Sequence, residues 1–215
     1  MAVLNVAVLV SGRGSNLQAL LDRAAVAAGA GFRIALVVSD QPGAAALERA
    51  ATAGVSAVAI EPEAEERRAA FDARLSLVLE RAGVELICLA GFMRILGPGF
   101  VDRWRGRLIN IHPSLLPAYP GLDTHARVLR DGVRRHGCTV HWVRSEVDAG
   151  PVIAQAAVPV RPDDDPASLA ARVLAAEHGL YPEVVAAIAA GRLSDTEGVG
   201  PGVPAQPTMS SAEKK

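Results

Sequence analysis

Three side chains of this chain could together form a site for acyl transfer: an amide, an imidazole and a carboxylate. The residues before Pro113 are typical of a short strand, and side chains two apart on a strand share a face. Asn110 and His112 are therefore expected to point the same way, with Ile111 turned into the core. If Asp148 reaches His112, the site holds an acid/base, a carboxylate that tunes it and a hydrogen-bond donor for a developing oxyanion. Those groups can move an acyl group onto an amine.

A structural role is the competing interpretation of His112, because a lone histidine after a strand is most often structural. Two features favour a functional role. Residues 113–117 form a proline-bounded exit that fixes the direction of the strand end. Asp148 lies in a loop bounded by glycine and proline, which favours a positioned carboxylate over a solvated one.

The loop of residues 11–16 is a candidate phosphate site between a strand and a helix. Its glycines allow the backbone to approach an anion, and a helix N-terminus offers unpaired N–H groups. It is neither G-x-G-x-x-G, since Leu17 interrupts the pattern, nor a Walker A loop. A tight turn with Ser15 or Asn16 as N-cap explains the residues equally well. Its place after the first strand favours ligand binding.

A second loop, residues 91–96, follows another apolar strand. Its bulky apolar side chains around Arg94 could wall a pocket for a flat heterocycle. The residues alone favour core packing with a surface arginine instead.

Bulk composition narrows the class of protein. The 215 residues predict one large domain, half of them are hydrophobic, and no apolar run approaches a membrane span. A net charge of −1 gives no case for nucleic-acid binding. The only lysines are Lys214 and Lys215, which argues against Schiff-base chemistry and a Walker A site. Two cysteines without metal or redox spacing, and no signal-peptide pattern at the N-terminus, lead us to expect a cytoplasmic protein.

Strand and helix patterns alternate along the first half of the chain, which predicts βαβ units and a parallel sheet. A short polar loop carrying Asp148 then favours an antiparallel pair. We expect strands at residues 3–10, 33–39, 55–60, 84–90, 107–112, 137–144 and 152–160, and helices at residues 16–28, 44–53, 63–82, 124–131 and 166–190, the last capped by Asp165 or Ser168. His141, within one of these strands, reads as structural.

Four segments of the chain, taken together with their order and spacing, match the pattern of a known family. They are SGRGSNLQA from residue 11, AGFMRIL from residue 90, NIHPSLLP from residue 110, and GCTVH from residue 137 continuing to DAGPVI from residue 148. The chain resembles the phosphoribosylglycinamide formyltransferases, the folate-dependent glycinamide ribonucleotide transformylases of purine biosynthesis. The match extends over residues 1–193 as one formyltransferase domain, and we expect residues 194–215 to be a disordered tail.

The resemblance implies a Rossmann-like α/β formyltransferase fold with a mixed, mostly parallel seven-stranded sheet and helices on both faces. It implies 10-formyltetrahydrofolate as co-substrate, no metal, small molecules as the only ligands and a monomer or homodimer. It implies formyl transfer to the amine of 5'-phosphoribosylglycinamide through a tetrahedral intermediate. The implied residues are Asn110, His112 and Asp148 for catalysis, Gly14, Ser15 and Asn16 for the phosphate, Glu177 for the ribose or glycinamide part, and Arg68, Met93, Arg94, Ile95, Leu96, Arg144, Ser145, Glu146 and Val147 for the folate.

Other functions stay open at this point. A related formyl-handling enzyme could hydrolyse formyltetrahydrofolate or use another acceptor, although such relatives carry an additional regulatory or RNA-binding domain. A catalytically silent module that binds a phosphorylated metabolite is the alternative from another class. Asp123 departs from the histidine that some relatives carry, which leaves open whether its loop contacts substrate.

Overall fold

Seven strands and six helices alternate in the computed structural model, which describes residues 3–26 and 31–195. The elements are β1 (Leu4–Val10), α1 (Ser15–Ala25), β2 (Phe32–Ser39), α2 (Ala45–Thr52), β3 (Ala57–Ala59), α3 (Arg68–Arg81), β4 (Leu86–Leu89), α4 (Pro98–Arg103), β5 (Leu108–His112), α5 (Thr124–Arg130), β6 (Arg135–Trp142), β7 (Val152–Pro159) and α6 (Pro166–Ala189).

The strands form one sheet in the order β3-β2-β1-β4-β5-β6-β7. The pairs from β3 to β5 are parallel, whereas β5–β6 and β6–β7 are antiparallel. The predicted mixed and mostly parallel sheet with helices on both faces is confirmed, as is the antiparallel pair beside the Asp148 loop. The strand order reverses between the neighbouring strands β1 and β4. Their carboxyl ends therefore border a crevice of the kind in which α/β proteins bind ligands.

Alternating residues of the strands feed two separate cores. In β1, Val6 and Val8 pack with α1 and α6, while Ala7 and Leu9 pack with α3 and α4 on the other face. This alternation is the two-residue period of a strand buried on both sides. In β5, Ile109 and Ile111 belong to the α1/α6 core, so Asn110 and His112 lie on the opposite face.

Two helices differ from the sequence prediction. The helix expected from residue 63 begins only at Arg68, because Glu66 turns back to form a two-pronged ion pair with Arg74. Helix α4 was not predicted, since Pro98 and Gly99 disfavour a helix interior; Pro98 instead occupies the first turn, where it is tolerated. The predicted cap of α6 is confirmed as a capping box between Asp165 and Ser168.

Within residues 3–26 and 31–195, no helix is long and apolar enough to cross a membrane. The tail predicted for residues 194–215 lies outside the described residues from residue 196 onward.

Candidate active site

The structure brings the three candidate catalytic side chains together at the end of β5. The Nδ1 atom of His112 lies 3.4 Å from Oδ2 of Asp148, and both side chains are almost fully buried. Asn110 lies two residues before His112 on the same face, as the strand period predicts. The sheet thus supplies the amide and the imidazole, and the loop between β6 and β7 supplies the carboxylate.

Both ring nitrogens of His112 face acceptor oxygens. Nε2 is 3.0 Å from the carbonyl oxygen of Tyr119, and Nδ1 faces Asp148. A carbonyl oxygen accepts only, so Nε2 must carry a hydrogen. A hydrogen on Nδ1 would face the carboxylate of Asp148. The ring can pass a proton to substrate only when a substrate atom replaces one of these contacts.

Asp148 is held in place by its own loop and by the neighbouring one. Its Oδ2 accepts a hydrogen bond of 2.8 Å from the backbone N–H of Gly121. Its backbone has φ 55°, a left-handed conformation that side chains larger than glycine adopt infrequently. Strained positions of this kind recur where a functional group must be aimed.

His141 is a member of this site that sequence reasoning assigned to a structural role. It sits directly opposite Asn110 in the β5–β6 pairing, and its Nε2 is 3.2 Å from the amide nitrogen of Asn110. Its Nδ1 is 3.0 Å from the carbonyl oxygen of Trp142, which places the ring hydrogen on Nδ1. Burial lowers the pKa of His141, so the neutral ring accepts one N–H of the Asn110 amide and orients it.

The loop before α1 is built for close approach of the backbone. Gly14 has φ 71°, and a Cβ there would lie 2.6 Å from the Cβ of Ala46, so only glycine fits. Gly14 is itself the N-cap residue, and α1 has no side-chain cap. The alternative that Ser15 or Asn16 caps the helix is therefore wrong, and the first-turn N–H groups of α1 are not satisfied by a capping side chain.

Asn16 is tied to Glu177 rather than to its own helix. Its amide donates a 2.7 Å hydrogen bond to Oε2 of Glu177, both side chains are buried, and burial raises the pKa of Glu177. An open cavity of about 670 Å³ lies beside the loop, lined in part by Ser15 and Arg49. Sequence reasoning missed Arg49, whose Nε donates to the carbonyl oxygen of Arg13. No local sequence motif marks Arg49, because α2 is distant from this loop in sequence and is brought beside it only by folding.

The second loop is joined to the first, since the N–H of Met93 donates to Oγ of Ser11 over 2.8 Å. Met93 and Ile95 expose 67% and 56% of their surface, which suits the wall of a pocket. Leu96 is buried in the α3/α4 core, and the guanidinium of Arg94 stacks 4.4 Å above a phenylalanine ring of α3. Leu96 therefore packs in the core, and Arg94 is half-buried against that ring.

The remaining residues assigned to folate fall into two groups. Ser145, Glu146 and Val147 are exposed in the loop that carries Asp148, whereas the guanidinium of Arg144 turns away to Asp195. Arg68 is exposed and lines a separate cavity of about 630 Å³ beside Gly97, and none of the three catalytic candidates lines that cavity.

Among the described residues, neither a reactive cysteine nor a metal-binding cluster adds to this site. Burial raises the pKa of each cysteine thiol, Cys88 and Cys138, to about 12, so neither is a thiolate near neutral pH. Among the residues that the structure describes, no cluster of histidine, cysteine and acidic side chains is placed to hold a metal ion.

His136 gives the fold a measurable sensitivity to acid. It is buried against His125, with 3.1 Å between Nε2 of His136 and Nδ1 of His125. Burial, followed by the charges of His125 and His112, lowers the pKa of His136 to about 4, against about 6.5 in an unfolded chain. The unfolded chain binds more protons across that range, so stability is present above about pH 6.5 and is lost as pH falls towards 4.

Urea unfolding between pH 7 and pH 4 tests this assignment. The unfolding free energy should fall less steeply with decreasing pH in His136→Gln than in the parent protein. The difference in slope should be at most about 1.4 kcal/mol per pH unit, which corresponds to the uptake of one proton on unfolding. A variant that loses stability as steeply as the parent protein would show that His136 does not titrate with unfolding.

Comparisons with known proteins agree with this architecture. The formyl transferase family model matches residues 4–185. The chain is 45% identical over 190 residues to phosphoribosylglycinamide formyltransferase of Escherichia coli K12, covering 88% of this chain and 89% of that protein. It is 50% identical over 187 residues to the trifunctional purine biosynthetic protein adenosine-3 of Drosophila melanogaster, covering 86% of this chain but only 14% of that much longer protein.

Solved structures give the same result. Glycinamide ribonucleotide transformylase 1 from Symbiobacterium toebii superposes with a TM-score of 0.85 at 45% identity, covering 91% of this chain and 92% of that one. The enzyme from Coxiella burnetii gives a TM-score of 0.84 at the same identity, covering 90% of each chain. The resemblance inferred from the motifs is confirmed, and the chain belongs to the formyl transferase family.

Proposed function

We propose that this protein is a phosphoribosylglycinamide formyltransferase, which moves the formyl group of 10-formyltetrahydrofolate to the amine of 5'-phosphoribosylglycinamide in purine biosynthesis. One observation carries the proposal. Asn110, His112 and Asp148 converge on one face of β5, in a chain that matches enzymes of that name over most of their length.

The reaction needs two changes at the formyl carbon. The neutral amine attacks it, a C–N bond forms, and negative charge builds on the oxygen of a tetrahedral intermediate. The amide of Asn110 is held by His141 with a second N–H free to donate to that oxygen. The imidazolium of His112 adds positive charge beside it and supplies a proton. The bond to the folate nitrogen then breaks as that nitrogen takes the proton from His112, and the attacking amine returns a proton to the imidazole.

Asp148 favours this chemistry by stabilising the imidazolium. Its carboxylate lies at hydrogen-bonding range of Nδ1 and is itself fixed by the Gly121 N–H. A carboxylate at such a distance stabilises the protonated ring, and burial strengthens the interaction. The carboxylate thus faces the ring before the oxyanion forms, so little reorganisation accompanies the reaction.

The two substrates would lie in the crevice between the loops that follow β1 and β4. The uncapped N-terminus of α1, Gly14 and Ser15 would bind the phosphate, with Arg49 as an additional positive charge. Asn16 and Glu177 would bind the ribose or glycinamide part. Exposed Met93, Ile95 and Val147 offer an apolar surface for the folate ring, and Arg68 a charge for its carboxylate end. Holding the substrates end to end supplies much of the remaining rate.

Residues 1–193 would act as one formyltransferase domain on small-molecule substrates, as a monomer or homodimer. The family and the chemistry favour the cytoplasm as the place of action. No step of the proposed reaction requires a metal ion.

The phosphate loop can be tested separately from the chemistry. Ser15→Ala removes a hydroxyl donor to a charged phosphate, a contact whose loss should raise KM for the ribonucleotide by about ten- to a hundredfold. Neither kcat nor KM for the folate should change by more than about twofold. Ser56→Ala removes an exposed hydroxyl directly before the edge strand β3 and is the matched control. An unchanged ribonucleotide KM would show that the loop is only a turn.

The acceptor decides between the proposed function and its rivals. Folate product formation is followed by absorbance with 5'-phosphoribosylglycinamide, with free glycinamide and without an acceptor. Product that depends on the ribonucleotide supports the proposal. Equal rates without an acceptor would identify a hydrolase, and no product under any condition would favour a silent binding module.

A further inference from the structure

A buried ion pair joins the active-site loop to the segment that follows α6. Nη2 of Arg144 lies 2.6 Å from Oδ1 of Asp195, with side chains only 17% and 4% exposed. Asp195 lies beyond the part of the chain that the family model matches, which ends at residue 185. The contact therefore connects the active-site loop to the segment that follows the last residue matched by the family model.

Arg144 stands at the start of the loop that carries Asp148. The same loop closes tightly at its other end, where Gly150 packs against the backbone of Trp142 and the side-chain stem of Arg144. A Cβ at Gly150 would overlap the carbonyl oxygen of Trp142, so the two ends of the loop are in direct contact. A displacement of Arg144 would consequently move both ends of the loop.

Asp195 lies close to the turn that leads into β5. A Cβ on Gly106 would lie 3.5 Å from the Cβ of Asp195, and Gly106 has φ 72°. That turn begins the strand that carries Asn110 and His112. Asp195 thus lies between the entrance to β5 and the loop after β6, the two elements that must stay in register for His112 to meet Asp148.

We propose that Asp195 is a positioning residue for the folate side of the active site, acting through Arg144 on the loop of residues 144–150. This inference rests on the proposed function. Without its carboxylate partner, the nearly buried guanidinium would be an uncompensated charge. It would turn towards water, and the loop would follow. Arg144, assigned by resemblance to the folate pocket, would then shape the pocket through this pair rather than by touching the ligand.

The test compares two ion pairs of similar burial, one held by a single hydrogen bond and the other by two. Asp195→Asn should raise KM for 10-formyltetrahydrofolate by about tenfold, as a small misplacement of a binding loop does, with the ribonucleotide KM within about twofold of the parent value. The control, Asp164→Asn, breaks the Arg172–Asp164 pair, whose side chains are 19% and 2% exposed and which has a 2.7 Å contact at the start of α6. It should lower the melting temperature without changing either KM.

Hydrogen exchange separates this inference from the proposed function. Amides of residues 144–150 should exchange faster in Asp195→Asn than in the parent protein, whichever reaction the enzyme catalyses, and should not do so in Asp164→Asn. Arg144→Gln should give the same increase, and the double variant no more than either single change, because all three break one contact. Unchanged exchange in this loop, or an unchanged folate KM in an active Asp195→Asn enzyme, would overturn the inference. Faster exchange in a protein that shows no formyl transfer would support the positioning role of Asp195 and reject the proposed formyltransferase function.

Discussion

Asp148→Asn should lower kcat by about 10²- to 10⁴-fold, the range over which positioned acid–base groups act. KM for the ribonucleotide should stay within about twofold, because the phosphate loop lies on a different strand end. The substitution keeps the size of the side chain and an oxygen that can accept from Gly121 N–H. It removes the negative charge that lies 3.4 Å from Nδ1 of His112.

Steady-state kinetics with both substrates varied measures this effect. Asp163→Asn is the matched control, since it makes the same change at an exposed carboxylate outside the site. The control should retain turnover close to that of the parent enzyme. Near-native turnover in Asp148→Asn would remove Asp148 from the catalytic set and leave it as a loop-fixing residue.

The second large effect concerns the amide at the end of β5. Asn110→Ala should lower kcat by about 10²- to 10³-fold, as the loss of one donor to an oxyanion does in other acyl-transfer sites. The loss should appear in kcat and kcat/KM alike, because the contact is made only as charge develops on the oxygen. Melting temperature should change little, since the backbone pairing of β5 with β6 does not need this side chain.

Asn5→Ala provides the comparison for that variant. The Asn5 amide also donates a hydrogen bond, in this case to the carbonyl oxygen of Gly83, at the opening of β1 and away from the site. It should cost some stability and no turnover. If Asn110→Ala instead raises KM for either substrate and leaves kcat unchanged, Asn110 would be assigned to ground-state binding.

Periodic and local features of this chain were predictable from sequence. The two-residue period of β5 placed Asn110 and His112 on one face and Ile111 in the core, and strand–helix alternation predicted the parallel half of the sheet. The Gly/Pro-bounded loop predicted the antiparallel β6–β7 pair. Each of these depends on neighbours in sequence, which a single chain displays directly.

Features that depend on distant contacts were not predictable. His141 meets Asn110 through the register of β5 with β6, and nothing within β6 distinguishes its role from that of a structural histidine. Arg49 reaches the phosphate loop only because α2 packs beside that loop. The side chain of Arg144 turns away from the pocket because it pairs with Asp195, in the segment after α6. Helix α4 begins with residues of low helix propensity and exists through burial of Phe100 and Val101.

The central claim is that the amide of Asn110, the imidazole of His112 and the carboxylate of Asp148 surround one reacting carbon. A crystal structure with 5'-phosphoribosylglycinamide and a non-transferable folate analogue that carries a carbonyl at the formyl position tests it most directly. We predict the carbonyl oxygen within about 3 Å of the Asn110 amide nitrogen and beside His112, with Asp148 still at Nδ1. A carbonyl bound elsewhere in the crevice, out of reach of both side chains, would contradict the account.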